Sequence, residues 1–165
     1  MEVKSINMTP DTSFYLSLPT KRMGAGCLFF NAAGQVMLVK PTYKPTWEIP
    51  GGVVEKDESP KHCCQREVGE ELGLTLEIGH LLVVNYNAKD GERTESLMFI
   101  FNGGILTPAQ IDSIHLGQDE LSEFRFFDAQ SLPVEMSSKL RNRVKMALNQ
   151  VEKGHGIYME NEANY

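Results

Sequence analysis

Short apolar runs bounded by turn-forming residues recur through most of the chain and predict β-strands. The predicted strands and short extended pieces cover residues 14–18, 23–30, 35–40, 47–49, 76–84, 97–101 and 123–127. Residues 31–34 have the composition of a tight turn and predict a hairpin between the strands on either side. Asp90 and Gly91 lie at the tip of a polar loop, which predicts a second hairpin.

Two segments change to the helical period. Ser59 can cap a helix, Pro60 suits its first turn and Gly73 can end it, which predicts a helix over residues 60–72. A second helix is predicted over residues 137–153, where four apolar residues recur at helical spacing: Leu140, Val144, Leu148 and Val151. Strands and helices interleave without regular βαβ alternation. The pattern therefore predicts an α+β fold, with a mixed sheet between layers of helices.

Length and charge restrict the interpretation further. A chain of 165 residues is expected to be a single domain, with residues 1–20 as a lead-in and residues 155–165 as a frayed C-terminal tail. Sixteen Lys and Arg against 22 Asp and Glu give a net charge of −6, which lacks the positive excess that duplex nucleic acid requires. No apolar run approaches the roughly 18 residues of a membrane span, and no secretory signal is visible. We therefore expect a cytoplasmic protein without duplex nucleic-acid or membrane partners.

The three cysteines and four histidines contribute little to the interpretation. An odd cysteine count, with Cys63 and Cys64 adjacent, does not resemble a disulfide framework and predicts reduced thiols. Neither residue type has the spacing of a zinc site.

Three carboxylates share one arc of the first predicted helix. At about 100° per residue, Glu67, Glu70 and Glu71 fall together beside an apolar stripe that can dock on a sheet. Like charges at this spacing repel by a few tenths of a kcal/mol each. A solvated helix surface is the common explanation of such glutamates, and a divalent cation held between them is the alternative.

The surrounding residues favour the second explanation. They match the pattern G-x5-E-x7-R-E-U-x-E-E-x-G-U, where U is a bulky aliphatic residue, at every fixed position: Gly52, Glu58, Arg66, Glu67, Val68, Glu70, Glu71, Gly73 and Leu74. This pattern is the Nudix box, and the chain resembles the Nudix hydrolases. The resemblance implies an α/β/α sandwich and a hydrolase that uses Mg²⁺ or Mn²⁺ to cleave the pyrophosphate of a nucleoside diphosphate linked to another group. Oxygen ligands suit those hard cations.

The resemblance also implies roles for individual residues. The metal ligands inside and beside the box would be Glu67, Glu70, Glu71 and the backbone carbonyl of Gly51. Glu67 or Glu70 would also lie near the attacking water, and the choice between them stays open. Arg66 and Glu58 would form a pair that orients the ligand carboxylates, with a plain surface salt bridge as the alternative.

Two weaker hypotheses concern residues outside the box. A carboxylate from a later loop commonly completes the metal cluster in the family, and the acids available here are Asp112, Asp119, Glu120 and Glu123. Glu120 matches best, because it lies several residues before the aromatic strand segment at 126–127; an ordinary exposed acid is the alternative. Glu123 shares a strand face with Arg125, so an ion pair explains it without catalysis. Trp47 could stack on a base, although a core position is commoner for a lone tryptophan.

All box carboxylates are present, which favours an enzyme over a nucleotide-sensing binding module on the same fold. The expected partner is a small-molecule nucleotide. Family members specialised for ADP-ribose tend to have a proline about fifteen residues beyond the box, and those for diadenosine polyphosphates a tyrosine slightly further on; this chain has Lys-Asp-Gly-Glu at residues 89–92. By exclusion we expect a (deoxy)nucleoside triphosphate, with nucleotide sugars as the alternative. Whether the chain forms a homodimer stays open.

Overall fold

The computed structural model describes residues 12–117, 119–160 and 163–164 of the chain. The helices within these residues are α1 (Thr12–Ser17), α2 (Pro60–Leu72), α3 (Pro108–Asp112) and α4 (Ser138–Leu148). The strands are β1 (Arg22–Phe30), β2 (Val36–Pro41), β3 (Gly51–Val53), β4 (Leu81–Asn87), β5 (Ser96–Ile105), β6 (Leu121–Phe127), β7 (Ile157–Glu160) and β8 (Ala163–Asn164).

The strands form one mixed sheet. Its order is β6-β2-β1-β5-β4-β7-β8, and β3 also pairs with β1. The pairs β1–β5 and β4–β7 are parallel, whereas β1–β2, β1–β3, β2–β6, β4–β5 and β7–β8 are antiparallel. Both predicted hairpins, β1–β2 and β4–β5, are present, and the predicted mixed sheet is confirmed.

One long helix covers each face of the sheet. Alternate residues of β1 point to opposite faces, so Cys27 and Phe29 pack with α2 while Leu28 and Phe30 pack with α4. Helix α2 buries Cys63, Cys64, Val68 and Leu72, and α4 buries Leu140, Val144 and Ala147. Each fully buried large side chain contributes about 1.5–3 kcal/mol. The predicted helix–sheet–helix arrangement and α+β class are confirmed, and all three cysteines are free and buried.

The structure corrects several predicted elements. Residues 14–18 were expected to be a strand, but α1 covers most of them, and within the described chain this segment joins no strand of the sheet. Helix α3 lies where no element was predicted. The helix predicted over 137–153 ends at Leu148, because the chain turns from Asn149 onwards. Residues 157–160, expected to be frayed, add β7 to the sheet beside β4.

No helix of the described chain is both long enough and apolar enough to cross a membrane.

Candidate active site

The acidic helix begins and ends as its sequence predicts. The Ser59 hydroxyl accepts a hydrogen bond from the His62 N–H at 3.2 Å, and Pro60 occupies the first turn. Gly73 adopts a left-handed conformation (φ 68°), and its N–H donates to the Gly69 carbonyl at 3.0 Å. These two ends fix the rotation of α2, so that its apolar stripe meets the sheet and its carboxylates face the loop that leads into β3.

Two glycines let the carboxylates approach that loop closely. The Gly51 N–H donates to Oε2 of Glu71 at 2.8 Å. Gly51 has a φ of 144°, and a Cβ there would lie 2.2 Å from the Ala25 carbonyl oxygen. A Cβ on Gly52 would lie 2.1 Å from Oε1 of Glu67. Glycine at both positions is therefore required for Glu67 and Glu71 to lie against the backbone; coordination by the Gly51 carbonyl stays a prediction.

Arg66 connects three carboxylates. It binds Glu58 with two hydrogen bonds, from Nε at 2.9 Å and from Nη2 at 3.1 Å. Its Nη1 donates to Glu67 and to Glu70, each at 2.9 Å. The Glu58 side chain is only 7% exposed, and its hydrogen bonds with Arg66 lower its pKa to about 2. Arg66 and Glu58 therefore form a largely enclosed network that positions two box glutamates, unlike the plain surface salt bridge considered above.

The carboxyl groups between α2 and the loop are buried next to other acids, and this disfavours their ionised forms. The pKa of Glu71 is raised to about 8, mainly by burial and to a smaller extent by the charges of Glu67, Glu120 and Glu70, while the Gly51 hydrogen bond acts in the opposite direction. Burial also raises the pKa of Glu67, with smaller contributions from Glu70 and Glu120. Folding therefore brings together carboxyl groups whose ionised forms the protein itself does not fully stabilise.

Glu120 acts on both buried glutamates, which places it within electrostatic range of the box. Its backbone N–H donates to the Gly117 carbonyl at 2.9 Å, and the Gly117 N–H donates to the Glu71 carbonyl at 3.1 Å, so the loop is tied to the end of α2. Glu123 pairs with Arg125 as its strand position suggested. Among the four loop acids, the structure favours Glu120 as a further ligand, and this role stays a prediction.

The raised pKa of Glu71 predicts a pH-dependent stability in the absence of cations. An acid whose folded pKa lies near 8 binds its proton more tightly in the folded state than in the unfolded state, where the value is 4.5. Without metal, the free energy of unfolding should fall as pH rises from about 5 to 8. Glu71→Gln keeps an acceptor for the Gly51 N–H, removes the charge and should flatten this dependence, gaining on the order of 2 kcal/mol at pH 8.5.

Urea denaturation in chelator at pH 5.5 and 8.5 measures the effect. Glu77→Gln is the matched control, because Glu77 is an exposed glutamate that follows the same helix. Equal pH slopes for the wild type and Glu71→Gln would contradict the assignment of the buried charge to Glu71.

The donor set fits a hard divalent cation, although the carboxylates do not yet converge on one point. Within the described residues, no three His, Cys, Asp or Glu side chains are grouped closely enough to hold a metal ion. Arg66 engages Glu67 and Glu70, so a cation must compete with its guanidinium for them. The nearby donors are all oxygens, and an added positive charge would relieve the repulsion that raises the two pKa values. The residues that could hold it are Glu67, Glu70, Glu71 and Glu120.

Trp47 lies in the core and offers little surface to a substrate. Its side chain packs edge-to-face on Phe127 with 4.9 Å between ring centroids, among the residues that pack with α4. Only 5% of the residue is exposed. Trp47 is therefore a core residue, the commoner of the two positions expected for it.

A cavity of about 450 Å³ opens beside the carboxylates. Gly51, Gly52 and Glu71 contribute to its wall. Five cationic residues also line it: Arg22, Lys44, Arg93, Lys139 and Arg143. No motif in the sequence indicated any of them. The net charge of −6 conceals this local excess, and the one signal in the sequence was the spacing of four between Lys139 and Arg143 on a helix. The cavity therefore has carboxyl groups on one side and cationic side chains on the other. A divalent cation could bind to the first and an anionic substrate to both the cation and the second.

Comparisons with known proteins agree with this geometry. A MutT-like protein of Streptomyces ambofaciens is 40% identical over 58 residues, covering 35% of this chain and 38% of that protein. Diphosphoinositol polyphosphate phosphohydrolase 2 of Rattus norvegicus is 33% identical over 102 residues, covering 57% and 53%. The chain thus spans roughly a third to a half of the length of these relatives.

The fold is also found among solved structures. The crystal structure of a MutT protein from Methanosarcina mazei superposes with a TM-score of 0.67 at 21% identity, covering 83% of this chain and 99% of that one. The family model described as NUDIX domain matches residues 20–147, which include the whole box, strands β1 to β6 and most of α4. The chain therefore belongs to the Nudix family.

Proposed function

We propose that this chain is a divalent-cation-dependent pyrophosphohydrolase. One observation supports the proposal most strongly. Glu67 and Glu71 lie against the Gly51–Gly52 backbone, and Glu71 lines a cavity whose wall also carries cations. A structural helix surface would expose its glutamates to water, whereas Glu71 is 7% exposed and has a raised pKa. A bound cation would favour the ionised form of such a buried carboxyl group, and the cations that line the same cavity suit an anionic ligand.

The proposed reaction is attack by water on one phosphorus of a pyrophosphate. A P–O bond to the bridging oxygen breaks, and the two phosphoryl products carry away the added oxygen and the charge. When bound, a divalent cation such as Mg²⁺ or Mn²⁺ would neutralise phosphate oxygens and lower the pKa of water. Arg66 orients Glu67 and Glu70, and Glu67, held in a partly buried position with a raised pKa, is suited to accept a proton from water.

The proposed substrate is a (deoxy)nucleoside triphosphate, cleaved to the monophosphate and pyrophosphate. Two observations support it. The sequence lacks the residues typical of ADP-ribose and diadenosine polyphosphate specificity, and the cationic cavity wall favours a ligand with several negative charges over one with few. A nucleotide sugar is the substrate to test against it.

A turnover screen tests the proposal. The purified chain is incubated with nucleoside triphosphates, deoxynucleoside triphosphates and nucleotide sugars, with Mg²⁺, Mn²⁺ or chelator, and products are separated by ion-exchange chromatography. We expect monophosphate and pyrophosphate, formed only with the cation. Nucleotide binding without turnover under every condition would make the chain a binding module. Much faster turnover with zinc than with Mg²⁺ or Mn²⁺ would contradict an oxygen-only site.

Glu120 provides a second check on the site. Because its charge reaches both Glu67 and Glu71, Glu120→Gln should lower kcat at saturating Mg²⁺ at least about tenfold, or 1.4 kcal/mol. Asp112→Asn, Asp119→Asn and Glu123→Gln are matched controls that should change kcat little, since Glu123 pairs with Arg125. A larger loss at Asp119 or Glu123 than at Glu120 would show that Glu120 is not the further ligand.

A further inference from the structure

A group of cations lies where the substrate cavity continues into a smaller cavity of about 270 Å³. Four cationic residues line both cavities: Arg22, Arg93, Lys139 and Arg143. We call them the basic pocket. They come from three separate parts of the fold, namely the first residue of β1, the loop between β4 and β5, and α4. Folding therefore collects them from distant positions of a chain whose net charge is −6.

The basic pocket is held in shape and carries an excess of positive charge. Nε and Nη2 of Arg22 donate to the hydroxyl and the carbonyl of Thr94, at 2.9 and 2.7 Å. Within the described chain, neither Arg22 nor Arg93 has a carboxylate partner. Asp90 also lines the smaller cavity, but it pairs with Lys139 only at 3.5 Å between exposed side chains, which is a weak contact.

The nearest remaining acid does not neutralise the pocket either. Glu95 follows Arg93 by two residues, yet its carboxylate binds Lys21 and the Tyr86 hydroxyl. The hydrogen bond from Lys21 lowers the pKa of Glu95, so this acid is already compensated elsewhere. The positive charges of Arg22 and Arg93 are therefore available to a ligand.

Helix α4 places two of the cations side by side. Lys139 and Arg143 are four residues apart and line the same two cavities, an arrangement in which like charges repel. Arg143 is 8% exposed, and its Nε donates to Oδ1 of Asn85 at 3.0 Å. Asn85 is itself buried and donates to the Met159 carbonyl at 3.3 Å, which fixes the direction of the guanidinium. An anion bound between Lys139 and Arg143 would offset the repulsion between these two side chains.

We infer that the basic pocket is a phosphate-binding subsite, which holds a phosphate group of the substrate other than those joined by the bond that is cleaved. This inference rests on the proposed function, because the cavity connects the basic pocket to the box carboxylates. The group is the terminal phosphate of a triphosphate or a phosphate ester on the part of the substrate beyond the pyrophosphate. In both cases the subsite selects substrates with an additional phosphate.

A binding experiment tests the subsite without requiring turnover. Inorganic tripolyphosphate is titrated into the protein in chelator and followed by calorimetry. We expect binding that weakens with salt, and a roughly 20-fold loss of affinity in the double variant Arg93→Gln/Lys139→Gln. Lys145→Gln is the matched control, because Lys145 is an exposed cation of the same helix that lines neither cavity. Equal affinities of the double variant and the wild type, or equal losses in the control, would overturn the inference.

A kinetic experiment identifies the phosphate. Two substrate pairs are compared: a nucleoside triphosphate with its diphosphate, and a nucleotide sugar that carries a sugar phosphate ester with the same compound lacking it. In at least one pair, kcat/KM should favour the more phosphorylated member, and the double variant should reduce this preference about tenfold through KM with kcat retained. The substrate pair whose preference falls in the double variant shows whether the bound group is a terminal phosphate or a sugar phosphate ester. An unchanged preference in both pairs would overturn the subsite, whereas absence of any wild-type turnover would contradict the proposed function and leave the calorimetric result standing.

Discussion

Glu67→Gln should lower kcat about a thousandfold, which corresponds to about 4 kcal/mol of transition-state stabilisation. The carboxylate of Glu67 accepts from Arg66 at 2.9 Å and lies where Gly52 has no side chain. The amide keeps the size of the group but removes its charge and its ability to accept a proton from water. Because Glu67 is partly buried among other acids, the variant should fold at least as stably as the wild type without cations.

Steady-state kinetics at saturating Mg²⁺ and thermal unfolding in chelator check both parts of this expectation. Glu77→Gln again provides the control, as an exposed glutamate beyond the helix that should retain full turnover. If Glu67→Gln kept wild-type kcat, Glu67 could be neither a metal ligand nor the group that accepts the proton. A variant that loses activity and also unfolds at a lower temperature would point to a structural role instead.

Arg66→Met should lower kcat about a hundredfold, or about 2.7 kcal/mol, although Arg66 itself need not touch the substrate. Its guanidinium holds Glu58, Glu67 and Glu70 together and also donates to the Val53 carbonyl at 3.1 Å. Without it, the mostly enclosed carboxylate of Glu58 keeps only the imidazole of His62 nearby, at 3.4 Å, so the melting temperature should fall as well.

The double variant Arg66→Met/Glu58→Gln separates positioning from stability. It removes both members of the enclosed pair, so much of the melting temperature should return while kcat stays low, because Glu67 and Glu70 are still not oriented. Recovery of kcat together with stability would show that Arg66 only stabilises the fold. Unchanged kcat in the single variant would remove Arg66 from the catalytic arrangement altogether.

The elements that sequence predicts well are those whose signals are local. Ser59, Pro60 and Gly73 lie at the ends of α2 and act within one turn, so the predicted bounds of 60–72 agree with the structure. The end of α4 was predicted too late, because Val151 continues the apolar period although the backbone already turns at Asn149. Residues 14–18 show a strand-like composition, but a strand needs a neighbour, and neighbours are a property of the whole sheet.

The same distinction applies to the site. The box places Glu67, Glu70 and Glu71 within five residues, so helical geometry alone predicts that they share a face. The basic pocket is assembled from residues that are distant in sequence, and no spacing in the chain relates Arg22 or Arg93 to α4. Burial of Trp47 likewise depends on Phe127 in β6, which no local pattern connects to residue 47.

The parallel pairing of β1 with β5 has a consequence for how the protein folds. The strand that supports the Gly51–Gly52 loop is joined along its whole length, from Arg22 to Phe30, to a partner that is synthesised much later. Lys21 and Glu95, which pair beside these strands, are 74 residues apart. Closing so long a loop costs entropy before its contacts repay it, which slows folding. A nascent chain that ends soon after the box would therefore carry every box glutamate but lack the strand that pairs with β1 beneath the Gly51–Gly52 loop.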